Sequence, residues 1–500
     1  MGETFILAID EGTTGCTALV FDVQGHIRGK GYAEITQYFP KPGWVEHDAE
    51  EIWDVILKVI QQALDQAGLE PSDIHALGIT NQRETTVIWD RSSGKPTGRA
   101  IVWQDRRTAD LCENLRAAGH TEAIRAKTGL VPDPYFSGTK IQWMLNQDAS
   151  LRARAEAGEL AFGTMDCWLI WKLTGGRVHA TDVSNASRTL LYNIHTLAWD
   201  RTLLEWMDIP EAILPEVNPS STVFGLTDPE AFFGREVPIG GVAGDQQAAL
   251  FGQACFSPGM AKNTYGTGSF ILMNTGTEAV QSQHGLLTTI AWQVGDGPVV
   301  YALEGSVFIS GAAVQWLRDG LQLIESAAET EALARSIESN DGVYFVPALT
   351  GLGAPHWDPY ARGLIIGLTR GTTRAHLVRA ALEAICYQSR DVADTMQQEC
   401  SIPLQELRVD GGAVVNPFIM QHQADMLGVN IIVPQITETT ALGAAYLAGL
   451  ATDFWASQEE ISEKWSIQKT YRPLMEKTIA DTLYKQWLEA VDRSKAWVAE

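Results

Sequence analysis

The sequence predicts an α/β fold of two similar domains around a cleft, and three observations lead there. Short β-rich runs alternate with helical spacings of apolar residues, the pattern of a sheet flanked by helices. The strand–glycine turn–strand device that opens the chain, Phe5-Ile-Leu-Ala-Ile9 through Asp10-Glu-Gly-Thr-Thr-Gly15 to Thr17-Ala-Leu-Val-Phe21, starts again at Met260-Ala-Lys-Asn-Thr-Tyr-Gly-Thr-Gly-Ser269 and Phe270–Met273. A chain of 500 residues, 45% apolar and 20% charged, can fill two large cores. The boundary falls at 245–260, which divides the chain into 1–252 and 253–500.

The elements follow in order. After the first turn, Asp22-Val-Gln-Gly25 reverses the chain before His26-Ile-Arg28. Ile52, Trp53, Ile56, Leu57 and Ile60 are spaced for one face of a helix over Glu50–Ala67. Ile74–Ile79 reads as a buried strand and Thr85–Trp89 as another, with the polar turn Asn81-Gln-Arg-Glu84 between them. In the second half, strands are expected at Val343–Val346, Gly363–Leu368 and Leu407–Val409. Leu377, Ala380, Ala381, Ala384 and Ile385 mark a helix, and Thr440–Leu450 another whose Gly and Ala allow close packing.

The formal charge is 37 − 61 = −24, which repels phosphate backbones and anionic lipid; nucleic acid and membrane surfaces are not expected partners. Nucleotide is not excluded, because a few backbone amides and one Mg²⁺ can hold phosphates locally. The six cysteines form no C-x-x-C pair and read as reduced thiols of a cytoplasmic protein. The opening MGETFILAID has an acidic Glu3 and a short apolar run, so no secretory signal is expected, and no apolar stretch is long enough to span a bilayer. A homo-oligomer, dimer or tetramer, is compatible with the sequence, which does not itself specify an oligomeric state.

The chemistry is concentrated at turns. Asp10-x-Gly12-Thr13-Thr14-Gly15 places a carboxylate at a strand end, beside glycines that turn N–H groups inward and two hydroxyls. That is a cradle for phosphate oxygens with a carboxylate placed for Mg²⁺, although Asp and Gly also favour plain hairpin turns. Gly266-Thr267-Gly268 repeats the feature across the expected cleft. Gly411-Gly412 before Asn416-Pro417, and Gly311 at the start of a helix, would admit a flat base. Asp245, in Gly244-Asp-Gln-Gln247, is either a general base for a hydroxyl nucleophile or a helix cap. Arg83 and Glu84 offer donors and an acceptor to a vicinal polyol. Because strand neighbours point to opposite faces, they can reach one ligand only from a turn. Trp103 and Tyr135 are candidate walls for a small carbon skeleton.

These segments resemble the FGGY carbohydrate kinases. Two long signatures carry the likeness: Tyr135-Phe-Ser-Gly-Thr-Lys-Ile-Gln-Trp143, and Gly363-Leu-Ile-Ile-Gly367 through His376-Leu-Val-Arg-Ala-Ala-Leu-Glu383. Pro40–Asp48, Gly78–Thr86, Ala243–Ala249 and Gly351–Pro355 are similar to the glycerol-phosphorylating subset. The resemblance implies two ribonuclease-H-like domains of the actin/hexokinase type that close on ATP and substrate. It also implies Mg²⁺-dependent transfer from ATP to glycerol, giving sn-glycerol 3-phosphate. Carried over, the polyol contacts are Arg83, Glu84, Trp103, Tyr135, Asp245, Gln246 and Phe270. The nucleotide contacts are Thr13, Thr14, Gly15, Gly266, Thr267, Gly311, Gln315, Gly412 and Asn416, with Asp10 and Asp245 near the metal. Thr17 stands where such kinases often have Arg. Where some relatives bind fructose 1,6-bisphosphate through Gly-Gly-Thr-Arg, this chain reads Phe232-Phe-Gly-Arg-Glu236, with no His for a phosphocarrier. The alternatives are a kinase for another polyol or ketose, and a non-enzymatic actin-like nucleotide switch.

Overall fold

The computed structural model describes residues 3–498, which form two mixed sheets built on the same strand order. In the first sheet β1 (Phe5–Glu11), β2 (Gly15–Phe21) and β3 (Ile27–Glu34) make an antiparallel meander. Helix α1 (Ala49–Ala67) follows, capped by Asp48, whose carboxylate accepts from the N–H groups of Glu50 and Glu51. It lays Ile52, Trp53, Ile56 and Ile60 onto β2 and β3. β1 then pairs in parallel with β4 (Ile74–Asn81). Edge strand β5 (Ser221–Leu226) runs antiparallel to β6 (Pro238–Gly244), which pairs in parallel with β4. The order is β5-β6-β4-β1-β2-β3. Phe5 to Ile9 are all buried, as expected of a strand covered on both faces. Helix α2 (Asp245–Gly252) leaves the end of β6.

The second sheet comprises β7 (Met260–Tyr265), β8 (Ser269–Gly276), β9 (Leu287–Trp292) and β10 (Val300–Val307), followed by helix α3 (Gly311–Asp319). Helix α4 (Arg374–Cys400) crosses to β11 (Glu406–Gly411), and α5 (Pro417–Leu427) leads to β12 (Asn430–Pro434). Helix α6 (Thr439–Ala451) and edge strand β13 (Ile467–Tyr471) follow. The order is β9-β10-β8-β7-β11-β12-β13, so β10-β8-β7-β11-β12 repeats β3-β2-β1-β4-β6 with the same strand directions.

Helices α2 and α6 hold equivalent places after the last parallel strand of each repeat, and they pack against one another. A Cβ on Gly443 would lie 1.8 Å from the Ala248 carbonyl oxygen, and one on Gly252 would lie 2.0 Å from that of Thr439. The two backbones are therefore in contact, which side chains at these positions would forbid. Helix α6, apolar all round, also packs on β1, β4 and β6 of the first sheet. Three of the sequence's expected strands lie outside the main sheets. Tyr344–Val346 pairs with Leu364–Ile366, and Val87–Asp90 with Leu160–Gly163. The strand at Val87 begins two residues later than the apolar pattern predicts, because Thr85 belongs to the turn: its N–H donates to Arg83 O at 2.7 Å. Among the described residues no helix is long and apolar enough to cross a membrane.

Candidate active site

The first phosphate-type turn links β1 to β2. Asp10 stands next to the end of β1, opposite Thr17 of β2 and Thr80 of β4. Beyond it the N–H of Gly12 donates to Gly15 O at 3.1 Å, closing the turn. Thr14 is exposed at its tip, and Thr13 Oγ1 accepts from Trp103 Nε1 at 2.9 Å. Burial, then the carboxylates of Asp245 and Glu438, push the Asp10 carboxyl up to about 7 against the pull of Lys30.

Across the chain, the second turn is seated on the start of α3. The N–H groups of Ser310 and Ala312 donate to Thr267 O at 2.9 and 3.0 Å, and that of Gly311 to Gly266 O at 3.0 Å. Gln315 is exposed one helical turn further on. In the β7–β11 register Tyr265 faces Gly411, so Gly266 and Gly412 leave the sheet side by side, with open space over Gly412. Five of the predicted nucleotide residues (Gly266, Thr267, Gly311, Gln315 and Gly412) thus gather at one end of the second sheet. Asn416 sits beyond them, and its side chain caps α5, Oδ1 accepting from Phe418 N at 3.0 Å and Nδ2 donating to Thr330 Oγ1 at 3.1 Å.

The turn after β4 carries Arg83 and Glu84. Gln82 ties it to the first phosphate turn through its N–H to Glu11 O (2.7 Å) and its Nε2 to Glu11 Oε1 (2.6 Å). Glu84 has φ 61°, a left-handed conformation that few residues other than glycine adopt. Its carbonyl oxygen is held by Ser137 Oγ and Thr86 Oγ1, both at 3.0 Å, and by Lys140 Nζ at 3.4 Å. A strained conformation persists only where its surroundings over-determine it, and this one turns adjacent side chains toward one place.

Arg83 is buried, and the N–H groups of both terminal nitrogens are engaged. Nη1 donates to Glu304 Oε2 (2.5 Å) and Gln247 Oε1 (3.2 Å), and Nη2 to Glu304 Oε1 (3.1 Å) and Tyr135 Oη (3.4 Å). Nε lies 3.2 Å from Asp245 Oδ1. Arg188 completes the cluster, donating from Nε to Glu84 Oε1 (2.7 Å) and from Nη2 to Glu304 Oε1 (3.0 Å). Burial works to raise the Glu304 carboxyl, but Arg188 and then Arg83 hold it down at about 2. Trp103 and Tyr135 meet edge-on, ring centroids 5.6 Å apart, beside this cluster.

Asp245 is the first residue of α2 and not its cap, a position held by Gly244. Its side chain is 31% exposed, with Oδ1 on Arg83 and Oδ2 accepting from Gln246 Nε2 at 3.1 Å. The register of β7, β8 and β10 pairs Lys262 with Leu272, Thr264 with Phe270, Leu272 with Glu304 and Phe270 with Ser306. Lys262, Thr264, Phe270 and Glu304 therefore share one face of the second sheet. Phe270, the remaining predicted polyol contact, lies two pairs along the ladder from Glu304.

Sequence reasoning missed Arg188, Glu304, Lys262 and Gln247. For Glu304 the available signal was a charged residue within the otherwise apolar Val300–Gly305; Lys262, followed by Asn263 and Thr264, carried no such signal. Among the described residues no three His, Cys, Asp or Glu side chains converge on one point. A divalent cation near Asp10 and Asp245 would thus take most of its ligands from phosphate oxygens and water, the usual Mg²⁺ habit. Burial first, and the carboxylates of Asp245 and Glu438 second, raise the Asp10 carboxyl, and a cation there would oppose both.

Models of the FGGY family of carbohydrate kinases match the chain twice, the N-terminal domain over residues 5–252 and the C-terminal domain over 261–452. Glycerol kinase 2 of Thermotoga maritima is 59% identical over 493 residues, 99% of either chain. The glycerol kinase of Carboxydothermus hydrogenoformans is 58% identical over 500 residues, the full length of both. Of solved structures, Plasmodium falciparum glycerol kinase with ADP superposes with a TM-score of 0.92 at 37% identity over 98% of each chain. Gluconate kinase from Lactobacillus acidophilus, at TM-score 0.86 and 22% identity, shares the fold. The repeated sheets are the two domains of the actin/hexokinase type. With both of its domain models matched in order, the chain belongs to the FGGY family of carbohydrate kinases.

Proposed function

We propose that the protein is an ATP-dependent glycerol kinase, transferring the γ-phosphoryl group of ATP to a terminal hydroxyl of glycerol to give sn-glycerol 3-phosphate. The observation that carries this reading is the partly exposed Asp245 carboxylate, 3.2 Å from Arg83 on the polyol turn and in the field of Asp10 on the phosphate turn. The full-length likeness to glycerol kinases supports the choice of substrate.

Asp245 orients the terminal hydroxyl and accepts its proton as the O–P bond forms. Glu84 accepts from a second hydroxyl, and Arg83, whose terminal nitrogens are both engaged, gives up its longer contact to Tyr135 to donate to the polyol. Trp103, Tyr135 and Phe270 wall the carbon skeleton, and Gln246 completes the contact set. Thr13, Thr14 and Thr267, with the N–H group of Gly15, donate to phosphate oxygens as charge spreads in a loose, in-line transfer, while Gly266, whose N–H closes its turn on Gly268 O at 2.8 Å, lets the backbone approach the nucleotide closely. Gly311, Gln315, Gly412 and Asn416 seat the nucleoside. Asp10, with Asp245 close by, would hold Mg²⁺, which would supply charge neutralisation to the transferring phosphate. Residues 1–252 carry the polyol site and first phosphate turn, and 253–500 the nucleotide site. Six free thiols suit a cytoplasmic enzyme.

Asp245→Asn keeps the shape and removes the base. Turnover of that variant is expected to fall by roughly three decades, the scale of general-base loss, with nucleotide affinity retained. Turnover within about tenfold of the parent would end the assignment.

A further inference from the structure

We infer that Lys262 is a positioning residue for phosphoryl transfer: its ammonium fixes the Gln246 side-chain amide in the one orientation that donates to Asp245. This rests on the reading of Asp245 as the base. Lys262 is fully buried in the middle of β7, on the sheet face that meets the start of α2. Its Nζ donates to Gln246 Oε1 and, at 2.9 Å, to Thr264 Oγ1.

An ammonium has donors only, so whatever faces it must accept. That requirement puts Gln246 Oε1 on Lys262 and therefore Nε2 on the other side, where it meets Asp245 Oδ2 at 3.1 Å. No other described residue donates to Gln246 Oε1. Burial lowers the Lys262 ammonium to about 8, with Asp410 and Asp245 opposing the fall, so it is a cation at neutral pH. Without it, the amide is free to turn over and present Oε1 to the carboxylate. The repulsion swings Asp245 away from the line on which it meets the substrate hydroxyl. A displacement of about 1 Å at a reacting group is enough to cost on the order of a hundredfold in rate. Thr264 lies three residues before Thr267, so the same ammonium braces the strand that presents the second phosphate turn.

The test is a coupling cycle in the full-length enzyme with glycerol and MgATP: Lys262→Met, Gln246→Leu and the double variant, with Asp245→Asn measured alongside. Lys262→Met is expected to lower kcat by about ten- to a hundredfold while the KM for ATP stays within about twofold. The double variant should be no slower than the slower single, because both changes break the same link. Lys262→Met turnover within about twofold of the parent, or losses that multiply in the double variant, would overturn the assignment. If Lys262→Met does not fold, Gln246→Glu keeps a partner for Lys262 but cannot donate to Asp245. It should lose turnover to the same degree, and turnover within about twofold of the parent would be equally fatal. Asp245→Asn separates the two failures. If it stays active, the base reading falls and takes this inference with it; if it is inactive while Lys262→Met is not, the role of Lys262 alone is wrong.

Discussion

Replacing Glu304 by glutamine removes the counter-charge that the second sheet contributes to the polyol turn, and the size of the effect can be worked out in two ways. The carboxyl sits at about 2 against an ordinary 4.5. A difference of that size corresponds to roughly 3 kcal/mol favouring the charged form at neutral pH. Independently, deleting one partner of a buried ion pair costs about 3–5 kcal/mol, because the other charge is left uncompensated. Here the stranded groups are Arg83 and Arg188, the side chains that fix the polyol turn. The substituted amide retains one acceptor oxygen, but its NH₂ must face a guanidinium. The loss is expected to divide between stability and polyol binding. In a coupled ADP-release assay, the KM for glycerol should rise at least about tenfold, equivalent to about 1.4 kcal/mol, while that for ATP moves little. The stability share has a definite sign with pH. The folded value lies below the unfolded one, so the contribution is complete above about pH 4.5 and disappears as pH falls through about 2. Parent and variant melting curves should therefore converge in acid. An unchanged glycerol KM together with unchanged melting at neutral pH would show that the cluster does not hold the turn.

Asp10 makes the opposite prediction. Its carboxyl is raised from 3.8 to about 7, so without metal it favours the folded state only below about pH 4 and opposes it as pH rises through 7. Asp10→Asn should accordingly stabilise the metal-free protein at pH 8, by at most on the order of 4 kcal/mol, and by less than about 1 kcal/mol near pH 4. Urea melts in chelator would show it, and no gain at pH 8 would refute the burial argument. Gly443→Ala forces a Cβ to within 1.8 Å of the Ala248 carbonyl oxygen, so the α2–α6 contact must open. A loss of more than about 2 kcal/mol, seen as a melting point lower by several degrees, is expected, and an unchanged melting point would contradict the backbone contact.

The sequence made the turns legible and left the cross-chain electrostatics hidden. Gly12, Gly15, Gly266 and Gly268 announce phosphate-type turns because glycine and Asp have local backbone reasons to be there. The joint reach of Arg83 and Glu84 required a turn, since strand neighbours diverge, and Glu84 adopts the left-handed conformation that supplies it. Glu304 bonds Arg83 across 221 positions, and Arg188 bonds Glu84 across 104. Nothing local marks such pairs; only the registers of β7, β8 and β10 align Lys262, Thr264, Phe270 and Glu304 on one face. The Gly- and Ala-rich spacing of 440–450 announced close packing, yet the partners of α6, the helix α2 and the first sheet, come from the tertiary fold. Asp245 was ambiguous between base and helix cap; with Gly244 as the cap, its carboxylate is free to meet Arg83.

The most direct measurement is ADP release from MgATP by the purified chain, with and without glycerol, followed by phosphorus NMR of the product. Release should be slow alone, accelerate by decades with glycerol and yield a monoester on a terminal carbon. ATP hydrolysis at one rate regardless of glycerol, or faster transfer to xylulose or gluconate than to glycerol, would contradict the account.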